Sequence, residues 1–576
     1  MDLDPIGLMK GSVKLAERAG DEAYFAALCL RSGMVGIEPP RRLAQMLLSF
    51  ERYGLLGAAA EVGAIRHGSR AAVIDERGEV SYRRLDQESN AIANAWRERG
   101  FQPGEGVAIL VRNHRGFLES VFAAAKCGAR IVLLNTSFAG PQIREVAERE
   151  GTDLLVYDDE YSEMLEGIDD PPRGRYRAWA DEGGDDTLDA LIAAGDTKGP
   201  PRPGTEAKIT ILTSGTTGTP KGAPRSSPKS LGLLGGLLSK VPFKAGEVTE
   251  LCVPMFHALG FAQALVGVGL GSTLVVHRRF EPEQTLESVE RHRATAMVMV
   301  PVMLQRTLEL GEDKIREHDL SSLRIIFLSG SALPTNVTRR ALKVFGPVIY
   351  NLYGSTEISY ATIATPDELE DDPATVGKVV RGSVVKIFDD DGHELPAGER
   401  GRIFVGNLSQ FEGYTGGGSK EEILGLMSSG DVGHFDDRGR LYIDGRDDEM
   451  IVSGGENVFP AEVEELLAGH EQIDEAAVIG IEDEKFGQRL QAFVVRRGEN
   501  LNEDDVKNYV KENLARYKVP RDVVFVAELP RNATGKVLKR ELAERDDSDA
   551  KSSKGAEAKP AAGTKRPGNR EGAPAS

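Results

Sequence analysis

The sequence is poor in the residues that staple or anchor a chain. Its 576 residues include only three cysteines, Cys29, Cys127 and Cys252. They are too few for a disulfide framework and too far apart for a metal site, and their scarcity fits a reducing compartment. No run approaches 18 uninterrupted apolar residues, so no transmembrane helix is expected. The start, Met1-Asp2-Leu3-Asp4, has neither the basic nor the apolar region of a secretory signal, and a cytoplasmic location is the expectation. Positive charge is also scarce. Lys and Arg total 71 against 90 Asp and Glu, a net charge of −19. That balance argues against a nucleic-acid binder, and it means that an anionic substrate must be met by a local positive site.

What is present describes an ordinary globular protein, 40% hydrophobic and 28% charged, too long for one core and therefore built of two or more domains. Residues 1–65 read as a helical extension. From Arg41 to Ile65, apolar clusters (Leu43, Met46, Leu47, Leu48, Leu55, Leu56) alternate with Arg and Glu. Two readings stand: an amphipathic helix giving peripheral membrane contact, or a helical pair packed on the main domain. The weakly basic polar face favours packing. From Ala71 onward strands and helices alternate, which predicts an α/β fold with doubly wound, mainly parallel sheets. Residues 158–207, rich in Gly, Pro and Asp, read as irregular surface. From about Gly377 short strands with tight turns predict a β subdomain. A break near Arg446-Asp447-Asp448 opens a small α+β unit. The boundaries are therefore 66–446 for a large domain, 447–545 for a small one, and 546–576 for a tail too poor in apolar side chains to pack.

The chemistry concentrates in short strings. Thr213-Ser214-Gly215-Thr216-Thr217-Gly218-Thr219-Pro220-Lys221-Gly222 follows a buried-strand run, Ile209 to Leu212. Its glycines tolerate positive φ, its hydroxyls can donate to phosphate oxygens and Lys221 adds a cation. It is not a Walker A loop, because Gly222 stands where that loop needs Ser or Thr after the lysine. Phe256-His257 and Ser329-Gly330-Ser331-Ala332-Leu333-Pro334 follow strands, at the ends where open α/β sheets bind ligands. Asn351-Leu352-Tyr353-Gly354-Ser355-Thr356-Glu357 offers an aromatic ring for a purine, hydroxyls for phosphate and a carboxylate for a hard cation. Asp431 in Ser429-Gly430-Asp431 can accept from both hydroxyls of a ribose, and Arg446 is a bidentate donor before a charged connector. Ser453-Gly454-Gly455 forms a second Gly-rich turn, and Lys536 follows Gly535 near the end of the ordered chain.

In this order the strings resemble those of acyl-CoA synthetases in the adenylate-forming superfamily, over roughly residues 65 to 545, with general similarity to long-chain actinobacterial members. The resemblance implies ATP, Mg²⁺ and coenzyme A. A carboxylate attacks the α-phosphorus of ATP to give acyl-AMP and pyrophosphate, and the thiol of coenzyme A then displaces AMP. It implies that residues 213 to 221 hold the β- and γ-phosphates, and that Gly330, Ser331, Ala332 and Tyr353, with Asn351 and Gly354 beside them, frame the nucleotide. Thr356 would meet the α-phosphate, Glu357 the Mg²⁺, and Asp431 and Arg446 the ribose and its phosphate. Lys536 and His257 would flank the reacting carboxylate. Asp448 matches the hinge about which a mobile small domain would withdraw Lys536 and present Ser453, Gly454 and Gly455 to coenzyme A. The chain departs from the pattern after Gly222, where Ala223-Pro224-Arg225-Ser226-Ser227-Pro228 replaces a β-branched residue and a nearby His, so that the following helix is expected to start differently. The apolar stretches His257 to Ala262 and Val266 to Gly271 favour a fatty or aryl acid. The acceptor stays open between coenzyme A and the phosphopantetheine of a carrier protein. A non-catalytic lipid-binding homologue is the remaining alternative, and the joint presence of Lys536, Glu357, Asp431 and Arg446 speaks against it.

Overall fold

The computed structural model describes residues 20–213, 221–225, 230–407, 413, 415, 419–453, 456–483, 487–532 and 535–543. The expectation of a disordered tail over 546–576 falls outside them. Among these residues four sheets form. The nine-stranded sheet has a parallel centre. Ile349–Ser355, Ile325–Leu328, Ala296–Met299, Val248–Leu251, Thr273–Val275 and Ala71–Asp75 lie side by side in that order, with antiparallel strands at both edges. The central strands are almost pure hydrocarbon. Every residue of Ile325–Leu328 and of Ala296–Met299 is buried, as parallel strands covered on both faces require.

The six-stranded sheet runs Arg175–Trp179, Thr152–Asp158, Gly106–Leu110, Arg130–Leu133, Lys208–Thr213 and Lys221–Arg225, parallel except for the last strand. One apolar cluster takes side chains from both large sheets and from the helices Tyr82–Glu98 and Arg115–Lys126. The latter helix is buried from Gly116 to Lys126. Lys126 is tolerated there because its ammonium donates to Asp86 Oδ1 (2.7 Å), Ser89 Oγ (2.8 Å) and Asn90 Oδ1 (2.7 Å), which offsets the cost of burying a charge.

An antiparallel sheet of Ser383–Phe388, Gly401–Asn407, Leu426–Phe435, Leu441–Arg446 and Glu422–Ile423 follows. Beyond the 3₁₀ turn Asp447–Glu449, a mixed sheet packs with the helices Pro460–Ala468 and Glu503–Asn513 around its own apolar cluster.

One local expectation needs correction. Residues 158–207 are not all irregular, because Arg175–Trp179 adds an edge strand and Leu188–Ala194 a helix. The strand was hidden by its arginines: Tyr176 and Ala178 point inward while Arg175 and Arg177 pair with Asp170 and Asp186. The helix expected to start differently after Gly222 begins at Gly232, and Lys221–Arg225 forms an edge strand before it. Pro224 is compatible with that position, since an edge strand need not donate from every residue. The N-terminal extension contains a helix over 20–32 and a longer one, Pro40–His67, kinked at Gly54 (φ 69°, ψ −174°). No described helix is long and apolar enough to cross a membrane.

Candidate active site

The sequence-predicted residues converge on one continuous cavity of about 2490 Å³, lined from both the large and the small domain. His257, Gly330, Ser331, Ala332, Asn351, Tyr353, Gly354, Thr356, Glu357, Asp431, Arg446, Asp448 and Lys536 all line it.

One corner is set by strand register. Asp431 and Arg446 face each other across neighbouring antiparallel strands, and Arg446 Nη1 donates to Asp431 Oδ1 (3.2 Å). The Tyr353 hydroxyl donates to Asp431 Oδ2 (2.6 Å). Burial pushes the Asp431 carboxyl above its ordinary range, although Tyr353 and Arg446 act to lower it. Burial, with the Asp431 charge, pushes the Tyr353 phenol well up, so it remains a donor. Arg446 also donates from Nε and Nη2 to Asp448 (3.0 and 3.2 Å). The guanidinium thus ties the corner to the connector between the domains.

The strand Ile349–Ser355 delivers the next groups. Asn351 is buried at its centre, and at Gly354 a side chain is excluded, since a Cβ there would lie 2.0 Å from the Ser359 carbonyl oxygen. That close approach carries Thr356 and Glu357 into the turn beyond. The Ser355 hydroxyl donates to Glu357 Oε2 (2.9 Å), which orients a carboxylate toward the cavity. An oxygen donor of this type fits Mg²⁺. Gly330, at φ 97° after Ile325–Leu328, makes the turn that brings Ser331 and Ala332 to the cavity wall.

His257 precedes the helix Ala258–Leu270, its ring against that of Phe256 with centroids 4.3 Å apart. Its Nε2 is buried and has no hydrogen-bond partner among the described residues. An orphaned polar atom on a cavity wall is where a ligand oxygen fits. Burial lowers the imidazole pKa from 6.5 to about 4. The folded state therefore binds fewer protons than the unfolded one between these values, and the associated stability is present above pH 6.5 and lost as pH falls through about 4. Between pH 5 and 8 the ring is neutral, and the acid limb of the adenylation pH profile is expected to have the same shape in the wild type and in His257→Asn. A step near 6.5 that vanishes in the variant would show a charged imidazole instead.

Lys536 reaches the cavity from the small domain. Its loop is closed by Asn532, whose Oδ1 accepts from Lys536 N (2.9 Å) and whose N donates to the Lys536 carbonyl (2.9 Å). Gly535, at φ 77°, packs so tightly on the helix Pro301–Glu309 that a Cβ would lie 2.2 Å from Val302 Cγ1. Two contacts with the large domain, and one between the small domain and its own connector, hold it here. Glu465 accepts from Thr335 N (3.1 Å) and from its hydroxyl, at the start of the helix Thr335–Phe345. Asn336 Nδ2 donates to the Ala468 carbonyl (2.7 Å). Lys539 bridges Glu449 in the connector (2.8 Å) and Glu464 (2.9 Å). Sequence reasoning missed Glu465 and Asn336, because nothing local marks a side chain that works across a domain interface, and Lys539, whose partners are distant in the chain.

Several expected residues lie elsewhere. Ser214, Gly215, Thr216, Thr217, Gly218 and Thr219 fall outside the described residues, as do Gly454 and Gly455. Of Thr213 and Lys221 only the backbone is described. Thr213 ends one strand and Lys221 begins its antiparallel neighbour, and the two face each other in register. The second strand is anchored at Gly222, whose N donates to Thr415 Oγ1 (3.1 Å) and whose carbonyl accepts from Thr415 N (2.9 Å). Ser453 ends the strand Ile451–Ser453 and does not line the cavity in this orientation of the domains.

The fold and this site are those of adenylate-forming enzymes, and similarity to known proteins agrees. The model of the AMP-binding enzyme family matches residues 61–415, and that of the AMP-binding enzyme C-terminal domain matches residues 462–536. The chain is 31% identical to indoleacetate–CoA ligase of Aromatoleum aromaticum, over 82% of this chain and 94% of that one. It is 31% identical to feruloyl-CoA synthase of Amycolatopsis sp., over 84% and 95%, and 29% identical to a fatty acid–[acyl-carrier-protein] ligase of Streptomyces coeruleorubidus, over 82% and 93%. Among solved structures, o-succinylbenzoate coenzyme A synthetase of Bacillus subtilis with its acyl-adenylate intermediate matches with a TM-score of 0.73 at 27% identity, over 84% of this chain and 97% of that one. The chain belongs to the AMP-binding enzyme family. Within it, it is an acid–coenzyme A ligase that uses ATP and Mg²⁺ to activate a carboxylate as acyl-AMP before thioester formation.

Proposed function

We propose that the acid is a medium- or long-chain fatty acid and that the enzyme works in the cytoplasm. The observation that carries the substrate is the helix Ala258–Leu270, which lines the cavity along its length from His257 to Gly269. Twelve residues at a rise of 1.5 Å span about 18 Å, deeper than an aryl acid fills. The helix bears Leu259, Phe261, Leu265, Val266 and Val268 toward the cavity and no charged residue.

In this reading the carboxylate lies between His257 and Lys536, and the nucleotide along Gly330 to Ala332, Tyr353, Thr356, Asp431 and Arg446. A carboxylate oxygen attacks the α-phosphorus and pyrophosphate leaves. The ammonium of Lys536 offsets the negative charge that gathers on the phosphoryl oxygens, and the neutral ring of His257 orients the acid through Nε2. Glu357 would hold Mg²⁺, which would supply charge neutralisation at the phosphates. In the second step the thiol sulfur attacks the acyl carbon and AMP departs with the electron pair. Rotation at Asp448 would withdraw Lys536 and present the face of Ser453 to Gly455.

The test is acid-dependent release of pyrophosphate and AMP, with and without coenzyme A, across acids from acetate through benzoate to oleate. The expected result is coenzyme A-dependent AMP release that is greatest for acids of medium or long chain. Greatest turnover with benzoate-like acids would overturn the fatty-acid reading. Pyrophosphate release indifferent to coenzyme A would transfer the acceptor to a carrier protein.

A further inference from the structure

The cavity has a second wall that the reaction does not explain. The helix Pro40–His67 divides at Gly54, whose φ of 69° breaks the helical path. Its C-terminal half is fastened to the body by close approach. A Cβ at Gly63 would lie 2.5 Å from the Tyr82 ring, and one at Gly57 would lie 3.3 Å from the backbone of Ala125. Just before the kink, the Tyr53 hydroxyl donates to the Pro200 carbonyl (2.5 Å). The N-terminal half projects from that anchor. Leu43, Met46, Leu47 and Phe50 recur at the spacing of one helical face, yet Leu43 and Leu47 stay 48% and 60% exposed and Phe50 36%.

That face is bare because it borders the cavity. Leu43, Met46 and Phe50 line it, as do Leu56, Ala59 and Val62 of the fastened half. They stand in the same cavity as the wall formed by Ala258–Leu270. The far end is held by Arg66, which donates to Glu38 Oε1 (3.1 Å), the Met34 carbonyl (2.6 Å) and the Gly33 carbonyl (3.0 Å). Met34 and Val35 thereby stay on the cavity wall. His67, also on the wall, has its pKa lowered to about 4 by burial and is neutral. The family model starts at residue 61, so this roof lies ahead of the matched region.

We propose that the half-helix 40–53 roofs the distal part of the acyl site, and that the occupant of its bare apolar face is the far end of a long aliphatic chain. The proposal rests on the fatty-acid reading above and sharpens it, making the N-terminal segment the determinant of chain length. Continuity carries it. The face opens into the space that begins at His257, so a chain bound by its carboxylate there and long enough to pass the first turns of Ala258–Leu270 must meet it.

The experiment compares kcat/KM for hexanoate and palmitate in the wild-type enzyme, Met46→Glu, Phe50→Ala, the conservative Met46→Leu, and Leu48→Glu, which is exposed but off the cavity wall. A charge at position 46 has to be desolvated by a bound chain. Met46→Glu should therefore lower the palmitate value by roughly tenfold or more relative to hexanoate. Phe50→Ala should shift the ratio in the same direction, Met46→Leu should restore it, and Leu48→Glu should leave it in place. Equal losses for both acids, or none, would overturn the proposal. So would intact palmitate kinetics in Met46→Glu accompanied by lost self-association or lost binding to phosphatidylglycerol vesicles, since the face would then serve a second copy or a lipid surface. Titration of palmitate into the same proteins, read by calorimetry, separates the two readings. A wild type that turns over no fatty acid removes the substrate reading. Palmitate binding weakened by Met46→Glu would still uphold the roof, and unweakened binding would overturn it.

Discussion

Lys536→Ala is expected to lower acid-dependent pyrophosphate release by roughly two to three orders of magnitude, while acyl-AMP supplied ready-made is still converted with coenzyme A at near the wild-type rate. The asymmetry follows from where the lysine is and how it is held. Lys536 belongs to the small domain, yet it lines the same cavity as His257, Thr356 and Asp431. It does so because Gly535 allows the loop to touch Val302 and because Glu465 and Asn336 dock the small domain on Thr335–Phe345. Its charge acts at the phosphorus centre attacked in the first step; the second step is attack at the acyl carbon, and the rotation proposed at Asp448 would by then have withdrawn Lys536 from the departing AMP. Rapid-quench measurement of the two half-reactions separates these contributions. Equal loss in both would mean that Lys536 serves the architecture of the interface and not the adenylation chemistry.

Asp431→Ala should raise the KM for ATP by roughly thirtyfold or more, the scale of about 2 kcal/mol for truncating one partner of a hydrogen-bonded charge pair. The carboxylate is only 15% exposed and is engaged on both oxygens, by Tyr353 and by Arg446. Its removal leaves the Tyr353 hydroxyl without that acceptor and Arg446 with Asp448. It also deletes the group placed to accept from ribose hydroxyls. Asp431→Asn, which keeps an acceptor and loses the charge, should fall between the two. Steady-state kinetics read the effect, and thermal unfolding without nucleotide shows whether the fold has loosened. An unchanged KM with a lowered Tm would make the triad purely structural.

How much of this was legible beforehand varied with the range of the interaction. The parallel strands were readable because strands covered on both faces must be apolar runs, as at Ile325–Leu328. The strand Arg175–Trp179 was not, because its outward arginines take their partners from neighbouring loops. Strand register brings Asp431 opposite Arg446; each residue was anticipated from its short string, and their pairing was not. The Tyr353 hydroxyl was anticipated only as part of an aromatic ring for the purine. Its bond to Asp431 joins residues 78 apart in sequence and depends on how two sheets meet.

The sequence by itself determined the kind of chemistry. Hydroxyls, glycines, a carboxylate and a terminal lysine occur in one order, and each residue type carries its own hydrogen-bonding capacity and charge wherever the chain takes it. Only the tertiary structure decided which groups line one cavity and how far that cavity runs. The orphaned Nε2 of His257, the seat of Gly535 on Val302 and the bare apolar face of helix 40–53 along the cavity all arise between segments distant in the chain. Such contacts are set by packing, to which local pattern is blind: the periodicity that marked Leu43, Met46 and Phe50 as one face could not say whether protein, lipid or substrate would cover it.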